Sequence, residues 1–210
     1  MKIVIFGASG KTGSFLVKQA LEQGHLVTAF VRTLASITIE HPNLKIVVAH
    51  LTETMTVRDV ILDADVCISA LGGSSLTKHA PNIVKGIDRI VDLMEQEGSK
   101  RIIYISSLGA GESRYFMSRI KRFLVCDILL RVPLSDHNIN EQRITSSSLN
   151  WTIIRPGGLN DGGLTTNLKH GCEATRIEGN ARISRANVAA FILKQLDDDK
   201  YLKKSVWLYE

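Results

Sequence analysis

The sequence predicts an α/β fold, a doubly wound parallel β-sheet with helices on both faces. The apolar run 3–6 leads directly into Gly7-x-x-Gly10-x-x-Gly13, and a segment of helical composition, 14–23, follows at once. Along the rest of the chain, short apolar runs alternate with longer segments of helical spacing. Such alternation is typical of parallel sheets, because each parallel strand needs a crossover helix before the next strand.

Each predicted element follows from this alternation. Short apolar runs predict strands at 2–6, 26–31, 44–49, 66–70, 101–106, 151–155 and 205–209. Helical spacing predicts helices at 11–23, 57–62, 81–97, 135–147 and 185–196. Gly24 and Gly98 lie just past two of these helices, where glycine commonly ends a helix. The 81–97 helix has apolar residues at core spacing, namely Ile83, Ile87, Ile90, Val91 and Met94.

The composition is that of an ordinary globular protein, with 44% hydrophobic and 22% charged residues. A chain of 210 residues fits one domain, so a single domain over 1–210 is predicted. Cys67, Cys126 and Cys172 are odd in number and far apart, which argues against a disulfide framework or a metal site. They favour a reducing compartment, and Cys67 lies in an apolar run typical of core packing.

A cytoplasmic location without membrane insertion is expected. No apolar run reaches the roughly 18 residues that a membrane span requires, and the first strand starts too early for a signal peptide. The net charge of +5 would suit nucleic acid. However, the glycine turn offers a phosphate ligand of another kind, so no nucleic-acid partner is expected.

The glycine turn predicts a dinucleotide phosphate site, with a purely structural turn as the alternative. Gly7 permits a tight turn, Gly10 lets backbone N–H groups approach a pyrophosphate, and Gly13 lets the helix pack on the strand. The helix N-terminus adds partial positive charge. Thr12 is predicted to add a hydroxyl contact, whereas Lys11 is equally consistent with a solvated side chain. The residue order is not that of a Walker A loop.

Arg32 at the end of the second strand predicts NADP in preference to NAD. An NAD site places Asp or Glu there to bind the ribose hydroxyls. A guanidinium instead binds a 2′-phosphate through paired hydrogen bonds. The alternative is an ordinary surface arginine, and the next residues add no second basic group.

The ends of the fourth and fifth strands supply further predicted contacts. Small residues over 69–74 would let ribose and phosphates cross the sheet, so Leu71 and Gly72 are predicted cofactor contacts, with an ordinary turn as the alternative. Ser106 and Ser107 lie at the end of the fifth strand, where a hydroxyl would meet the nicotinamide and the substrate.

Two segments are predicted to form the walls of the substrate site. Residues 108–134 read as a basic amphipathic helix, with Phe116, Ile120, Phe123, Leu124 and Ile128 at helical spacing beside several arginines. Residues 156–173 are rich in glycine. Both follow the carboxyl ends of strands, where ligands bind in open α/β sheets.

These residues resemble the atypical short-chain dehydrogenase/reductase group, Rossmann-like NAD(P)H-binding proteins that include NmrA-like proteins and biliverdin reductase B/flavin reductase. The matching segments span nearly the whole chain. They are Gly7-Ala-Ser-Gly-Lys-Thr-Gly13, Phe30-Val-Arg-Thr33, Ile105-Ser-Ser-Leu108, Leu149-Asn-Trp-Thr-Ile-Ile-Arg-Pro-Gly157 and Ile183-Ser-Arg-Ala-Asn-Val-Ala-Ala190. The last two segments are much more specific than the glycine turn.

The resemblance implies a set of site residues. It assigns Gly7, Ser9, Gly10, Thr12, Gly13 and Arg32 to cofactor contacts, and Lys11 lies within the same motif. Ser107 matches the active-site serine of the flavin-reductase branch. The backbone at Pro156 and Gly157 would lie against the nicotinamide.

The chain also departs from its relatives. It lacks the Tyr-x-x-x-Lys pair that supplies an acid in classical members. Tyr115 and Arg119 have similar spacing, but Tyr115 comes only eight residues after Ser107, which is early for such a pair. Tyr115 also fits the pattern of apolar residues that one face of an amphipathic helix turns toward the core. His137 and Glu141 share a helix face, so His137 is predicted to shuttle a proton or bind the ribose, with a solvent-exposed pair as the alternative. Gly158 replaces a histidine of the flavin-reductase branch.

The predicted function is NADPH-dependent reduction of a flavin, quinone or similar planar acceptor, with FMN or FAD as a substrate rather than a tightly bound group. The alternative is a non-catalytic redox sensor that binds NAD(P) and acts through a protein partner. A third hypothesis makes 112–131 a membrane-surface or nucleic-acid contact, although a lid or dimer face explains the same pattern. A monomer or homodimer is expected.

Overall fold

The computed structural model describes residues 1–73, 75–98, 101–177 and 179–210. Ser74, the last of the predicted small residues after the fourth strand, lies outside them. Ten strands are found: β1 Lys2–Phe6, β2 Leu26–Val31, β3 Leu44–Val48, β4 Val66–Ser69, β5 Arg101–Ile105, β6 Asn150–Pro156, β7 Gly158–Asn160, β8 Lys169–Gly171, β9 Arg182–Ser184 and β10 Lys204–Tyr209. Eight form one sheet in the order β3-β2-β1-β4-β5-β6-β10-β8. All its strand pairs are parallel except β10 with β8.

The predicted helices are present with shifts of a few residues at their ends. They are α1 Lys11–Glu22, α2 Thr54–Leu62, α3 Pro81–Gln96, α5 Arg131–Thr145 and α6 Arg185–Lys194, with a short α4 at Arg119–Arg122. Gly24 and Gly98 have φ of +78° and +70°, as expected for residues that end a helix. None of these described helices has both the length and the apolar character that crossing a bilayer would need.

Helices cover both faces of the large sheet. In β1, Ile3 and Ile5 pack with α1 and α6, whereas Val4 and Phe6 face the core shared with α2, α3 and α5. Both sets are at most 1% exposed. Neighbouring residues of a strand point to opposite faces, so a strand that is apolar throughout must be covered on both sides. The doubly wound α/β prediction is confirmed.

The strand order reverses at β1. From β1 the sheet runs through β2 to β3 on one side and through β4 to β5 on the other. The connection after β1 therefore runs to one side of the sheet and the connection after β4 to the other side. This divergence opens a crevice between the carboxyl ends of β1 and β4. In open α/β sheets this crevice is where ligands bind.

The prediction of one amphipathic helix over 108–134 is wrong. The segment contains a 3₁₀ helix at Gly111–Phe116, then α4, then a π-helical stretch at Phe123–Leu129 that leads into α5. Two serines explain the interruptions. Ser113 bonds to the backbone of Gly109 and Ala110, and the Ser118 side chain caps a new helix start. Such local bonds compete with a continuous helix.

The apolar stripe predicted in this segment mostly faces outward. Phe116 is buried, but Ile120, Phe123, Leu124 and Ile128 are 53–76% exposed. The segment is held to the chain after β8, because Ile177 N–H donates to the Phe116 carbonyl at 2.8 Å. Together they form a small third core that includes Met117, Leu134 and Ala181.

The strands β7, β8 and β9 were missed by the sequence prediction. Each has only three residues, too few to show a period-2 pattern. β7 pairs in parallel with β9 as a separate two-stranded sheet, so part of the glycine-rich 156–173 segment is ordered by contacts remote in the chain.

Candidate functional site

A cavity of about 680 Å³ lies at the crevice beside β1. Its walls come from the turns after β1, β2, β3 and β4, and α3 closes one side. Six of the residues that the sequence assigns to cofactor contacts line this cavity, namely Gly7, Ser9, Gly10, Arg32, Leu71 and Gly72. The structure thus brings together groups that are up to 65 residues apart in the chain.

The glycine turn has a geometry that side chains would disrupt. Gly7 has φ of +81°, and a Cβ there would lie 2.8 Å from the Ala70 carbonyl oxygen. A Cβ on Gly13 would lie 2.1 Å from the Gly7 carbonyl oxygen. Since real Cβ atoms do not approach backbone oxygens this closely, both positions need glycine. The glycine turn is therefore packed tightly against the end of β4, and the first turn of α1 is packed tightly against the glycine turn.

The N-terminus of α1 lies beside the cavity and has no side-chain cap. Its N-cap residue is Gly10, which has extended backbone angles and no side chain that can accept from the first turn. The first turn also has no acidic residue. Its N–H groups and their partial positive charge are thus available to an anion. Lys11, Thr12 and Gly13 form this first turn and do not line the cavity itself.

The cavity has a cationic lining. Besides Arg32, the basic residues Lys85 and Arg89 line it, and none of its described lining residues is acidic. The Arg89 guanidinium donates to the Leu51 carbonyl at 3.0 Å, which fixes it against the turn after β3. Sequence reasoning missed Lys85 and Arg89, although their spacing of four on a predicted helix placed them on one face.

A second group of predicted residues lies at the ends of β5 and β6. Ser106 N–H donates to the Ile154 carbonyl at 2.7 Å, and Leu108 N–H donates to the Pro156 carbonyl at 2.8 Å. These bonds bring Ser107 next to Pro156 and Gly157 in space. None of these residues, Ser106 included, lines the 680 Å³ cavity, and their roles at a cofactor stay predictions.

Two hydroxyl groups at the end of β5 have little or no internal hydrogen bonding. The Ser106 Oγ is buried and has no hydrogen-bond partner among the described residues. Within the described part of the chain, the Ser107 Oγ makes only a long 3.4 Å contact to the Leu108 carbonyl, and the residue is partly exposed. The Ser107 hydroxyl can therefore bind a ligand without first breaking a strong bond.

Gly157 is placed by packing against the chain before β9. A Cβ on Gly157 would lie 2.6 Å from the Ala181 carbonyl oxygen, so the close approach of two backbones requires glycine here. The Gly157 N–H donates to the Leu208 carbonyl at 2.9 Å. No pattern in the sequence predicts the contacts of Gly157 with Ala181 and Leu208.

His137 lies inward rather than on an exposed face. Its Nδ1 is 2.7 Å from the Tyr104 hydroxyl, to which Asn140 Nδ2 donates at 3.0 Å. Since Asn140 donates to that oxygen, the phenol proton is free for His137 Nδ1, which then accepts as a neutral imidazole. Burial lowers the His137 pKa and raises the pKa of Tyr104. The alternative of a solvent-exposed His137–Glu141 pair is wrong, while a catalytic role of His137 stays a prediction.

This arrangement predicts a pH dependence of stability. The pKa of His137 in the folded state lies below the ordinary value of about 6.5 that applies in the unfolded chain. His137 therefore contributes its full stabilisation at a pH above about 6.5, and this contribution is lost as the pH falls through the folded-state pKa. His137→Gln keeps an acceptor that does not titrate. The urea midpoint of this variant should fall less than that of the wild type between pH 7 and about 5. His41→Gln, at an exposed histidine, is the control; an equal acid loss in His137→Gln and the wild type would contradict the assignment.

A buried ion-pair network joins β6, α5 and the 3₁₀ helix at Gly111–Phe116. Arg155 donates to Glu141 at 3.0 and 2.7 Å, and to Glu112 at 2.7 and 3.1 Å. The Arg155 and Glu141 side chains are 4% and 6% exposed, whereas Glu112 is 62% exposed. The Arg155 guanidinium holds the Glu112 pKa below its ordinary value. The network anchors the segment that follows Ser107.

Comparisons with known proteins agree with this architecture. A family model described as NAD(P)H-binding matches residues 7–199. UPF0659 protein YMR090W of Saccharomyces cerevisiae is 31% identical over 208 residues, which cover 93% of this chain and 87% of that protein.

Solved structures share the fold at lower identity. ChuY, an anaerobillin reductase from Escherichia coli O157:H7, is 24% identical with a TM-score of 0.80, over 100% of this chain and 97% of that one. A short-chain dehydrogenase/reductase from Veillonella parvula in complex with NADP is 18% identical with a TM-score of 0.83, over 100% and 94% of the two chains.

Proposed function

The chain belongs to the NAD(P)H-binding family, and we propose that it is an NADPH-dependent reductase of a flavin, quinone or other planar acceptor. The family membership confirms the resemblance found in the sequence. Three further points are part of the proposal: that the cofactor is the phosphorylated one, which acceptor it reduces, and which residues form the site. The observation that carries it is the cationic cavity at the glycine turn.

The residues at this cavity fit the cofactor. Ordinary side chains are excluded at the glycine turn, and the uncapped first turn of α1 offers N–H groups to a pyrophosphate. A Cβ on Gly72 would meet no atom of the described residues within 4 Å, so the cavity wall is open at this position. Arg32, with no acid among the described lining residues, suits a 2′-phosphate and disfavours the ribose diol contact of an NAD site.

The distance along the sheet also suits an extended dinucleotide. Strands in a sheet lie about 4.8 Å apart, so the end of β5 is roughly 14 Å from the end of β2. The adenine half would lie between Arg32 and α3, and the nicotinamide half would reach Ser107 and Pro156. When bound, NADPH would supply a hydride to the acceptor. The protein orients the two planar groups and excludes water, and the Ser107 hydroxyl donates a hydrogen bond to an acceptor oxygen or fixes a water.

A role for Ser107 predicts a measurable loss. Ser107→Ala should lower turnover by about tenfold, the effect of one hydrogen bond to a charged or developing anionic oxygen, and should leave NADPH affinity unchanged. Steady-state NADPH oxidation with FMN and a titration of NADPH check the two parts. Ser146→Ala, at an exposed serine at the end of α5, is the matched control. Unchanged turnover in Ser107→Ala would remove this residue from the mechanism.

A second candidate function is a redox sensor that binds NADP and signals through a protein partner. The outward-facing stripe of Ile120, Phe123, Leu124 and Ile128 favours it, because contiguous exposed apolar side chains often mark interaction sites. Both functions need the same cofactor site. Steady-state assays with FMN, quinones and dichlorophenolindophenol separate them, since a sensor would bind NADPH and oxidise it with none of these acceptors.

A further inference from the structure

A second cavity, of about 410 Å³, is lined mainly by residues of the 108–134 segment and by the first half of α5. Its wall includes Gly109, which is two residues past Ser107 and follows the same strand end. The polar side chains that line it are Arg114, Asp127, Arg131, Ser135 and Asn138. The cavity therefore adjoins the strand end that carries Ser107.

Two arginines and one carboxylate give this cavity a net positive charge. Arg114 Nη2 donates to Asp127 Oδ1 at 2.6 Å, which neutralises one cation. The Arg114 Nε is buried and has no hydrogen-bond partner among the described residues. Arg131 is exposed and forms no ion pair within the described part of the chain. A guanidinium stays charged and carries five donors, so the buried Arg114 Nε lacks an acceptor, and the exposed Arg131 has donors that an anion can use in place of water.

The remaining polar groups are also donors. The Asn138 Oδ1 already accepts from the Gly111 N–H at 2.8 Å, which leaves the Asn138 amide N–H groups as donors. Ser135 contributes a hydroxyl. The only acidic side chain among the described lining residues, Asp127, is already bound to Arg114.

We propose that this cavity is an anion subsite that binds a carboxylate or phosphate group of the acceptor. The guanidinium group of arginine binds both carboxylates and phosphates through pairs of charge-assisted hydrogen bonds. The inference rests on the proposed function for the identity of its ligand, because the cavity adjoins the strand end that carries Ser107. Acceptors with an anionic arm would then be selected over neutral ones of the same ring system.

Two pairs of ligands test the subsite and distinguish its anions. FMN and riboflavin share a ring and differ by a phosphate, while biliverdin and its dimethyl ester differ in two carboxylates. Binding of each is measured by calorimetry or fluorescence without NADPH, so the result does not depend on turnover. Arg131→Ala removes the unpaired guanidinium, and Arg119→Ala removes an exposed charge of the same segment that does not line the cavity.

The proposal predicts that Arg131→Ala weakens the anionic member of one or both pairs by about tenfold, the effect of a lost charge-assisted hydrogen bond, with the neutral member and Arg119→Ala little changed. The FMN pair reports a phosphate ligand and the biliverdin pair a carboxylate ligand. Equal weakening of the neutral members, equal effects of Arg119→Ala, or no binding of either anionic ligand by the wild type would overturn it. A failure of the proposed function would appear separately, as absent NADPH oxidation.

Discussion

Arg155→Ala should lower the free energy of unfolding by about 3–5 kcal/mol, the usual cost of leaving one partner of a buried ion pair without the other. Arg155 and Glu141 are both nearly inaccessible to solvent and share two hydrogen bonds. The variant leaves the Glu141 carboxylate buried without a cation. The shift of the urea midpoint at unchanged m-value measures the loss.

Two further variants separate this effect from a general loss of surface charge. Glu112→Ala should cost at most about 1 kcal/mol, because Glu112 is 62% exposed and water replaces Arg155 around it. The double variant Arg155→Ala with Glu141→Ala should regain part of the stability, since it removes both buried charges. If Arg155→Ala and Glu112→Ala lose equal stability, the buried pair does not hold this region together.

Arg32→Ala should weaken NADP binding by about 1.5–3 kcal/mol, or roughly 10–100-fold, the range for a lost hydrogen bond to a charged group. NAD affinity should change little, because NAD has no 2′-phosphate for the guanidinium to bind. Calorimetric titrations of the protein with NADP and with NAD measure the two affinities.

The control for this comparison is Arg182→Ala, which removes an exposed guanidinium at β9 away from the cavity. It corrects for the overall attraction between a protein of net charge +5 and an anionic ligand. Equal losses for NADP and NAD in Arg32→Ala would contradict a phosphate contact and leave Arg32 as an ordinary surface residue.

The sequence was sufficient for the sheet and its glycine turn because their signals are local. Buried parallel strands appear as short apolar runs, and the turn has local reasons for glycine, namely the positive φ of Gly7 and the contact of Gly13 with the Gly7 carbonyl. Arg32 was predictable for the same reason, since it directly follows an identifiable strand. The broken helix over 108–134 was missed because the Ser113 and Ser118 side chains act through hydrogen bonds that periodicity does not reveal.

Other parts of the site depend on contacts between distant segments. The Arg155 network joins residues 43 and 14 positions away from it, and no spacing in the sequence pairs them. The burial of His137 against Tyr104 likewise depends on how α5 packs over β5. The helical spacing of Lys85 and Arg89 predicts that they share a helix face, but only the fold shows that this face adjoins Arg32.

Steady-state oxidation of NADPH and NADH in the presence of FMN and dichlorophenolindophenol tests the central claim most directly. The proposed reductase should oxidise NADPH with at least one of these acceptors, more efficiently than NADH, and Arg32→Ala should raise the KM for NADPH selectively. Binding of NADPH without turnover of either acceptor or of a quinone would contradict the reductase function and leave a cofactor-binding sensor in its place.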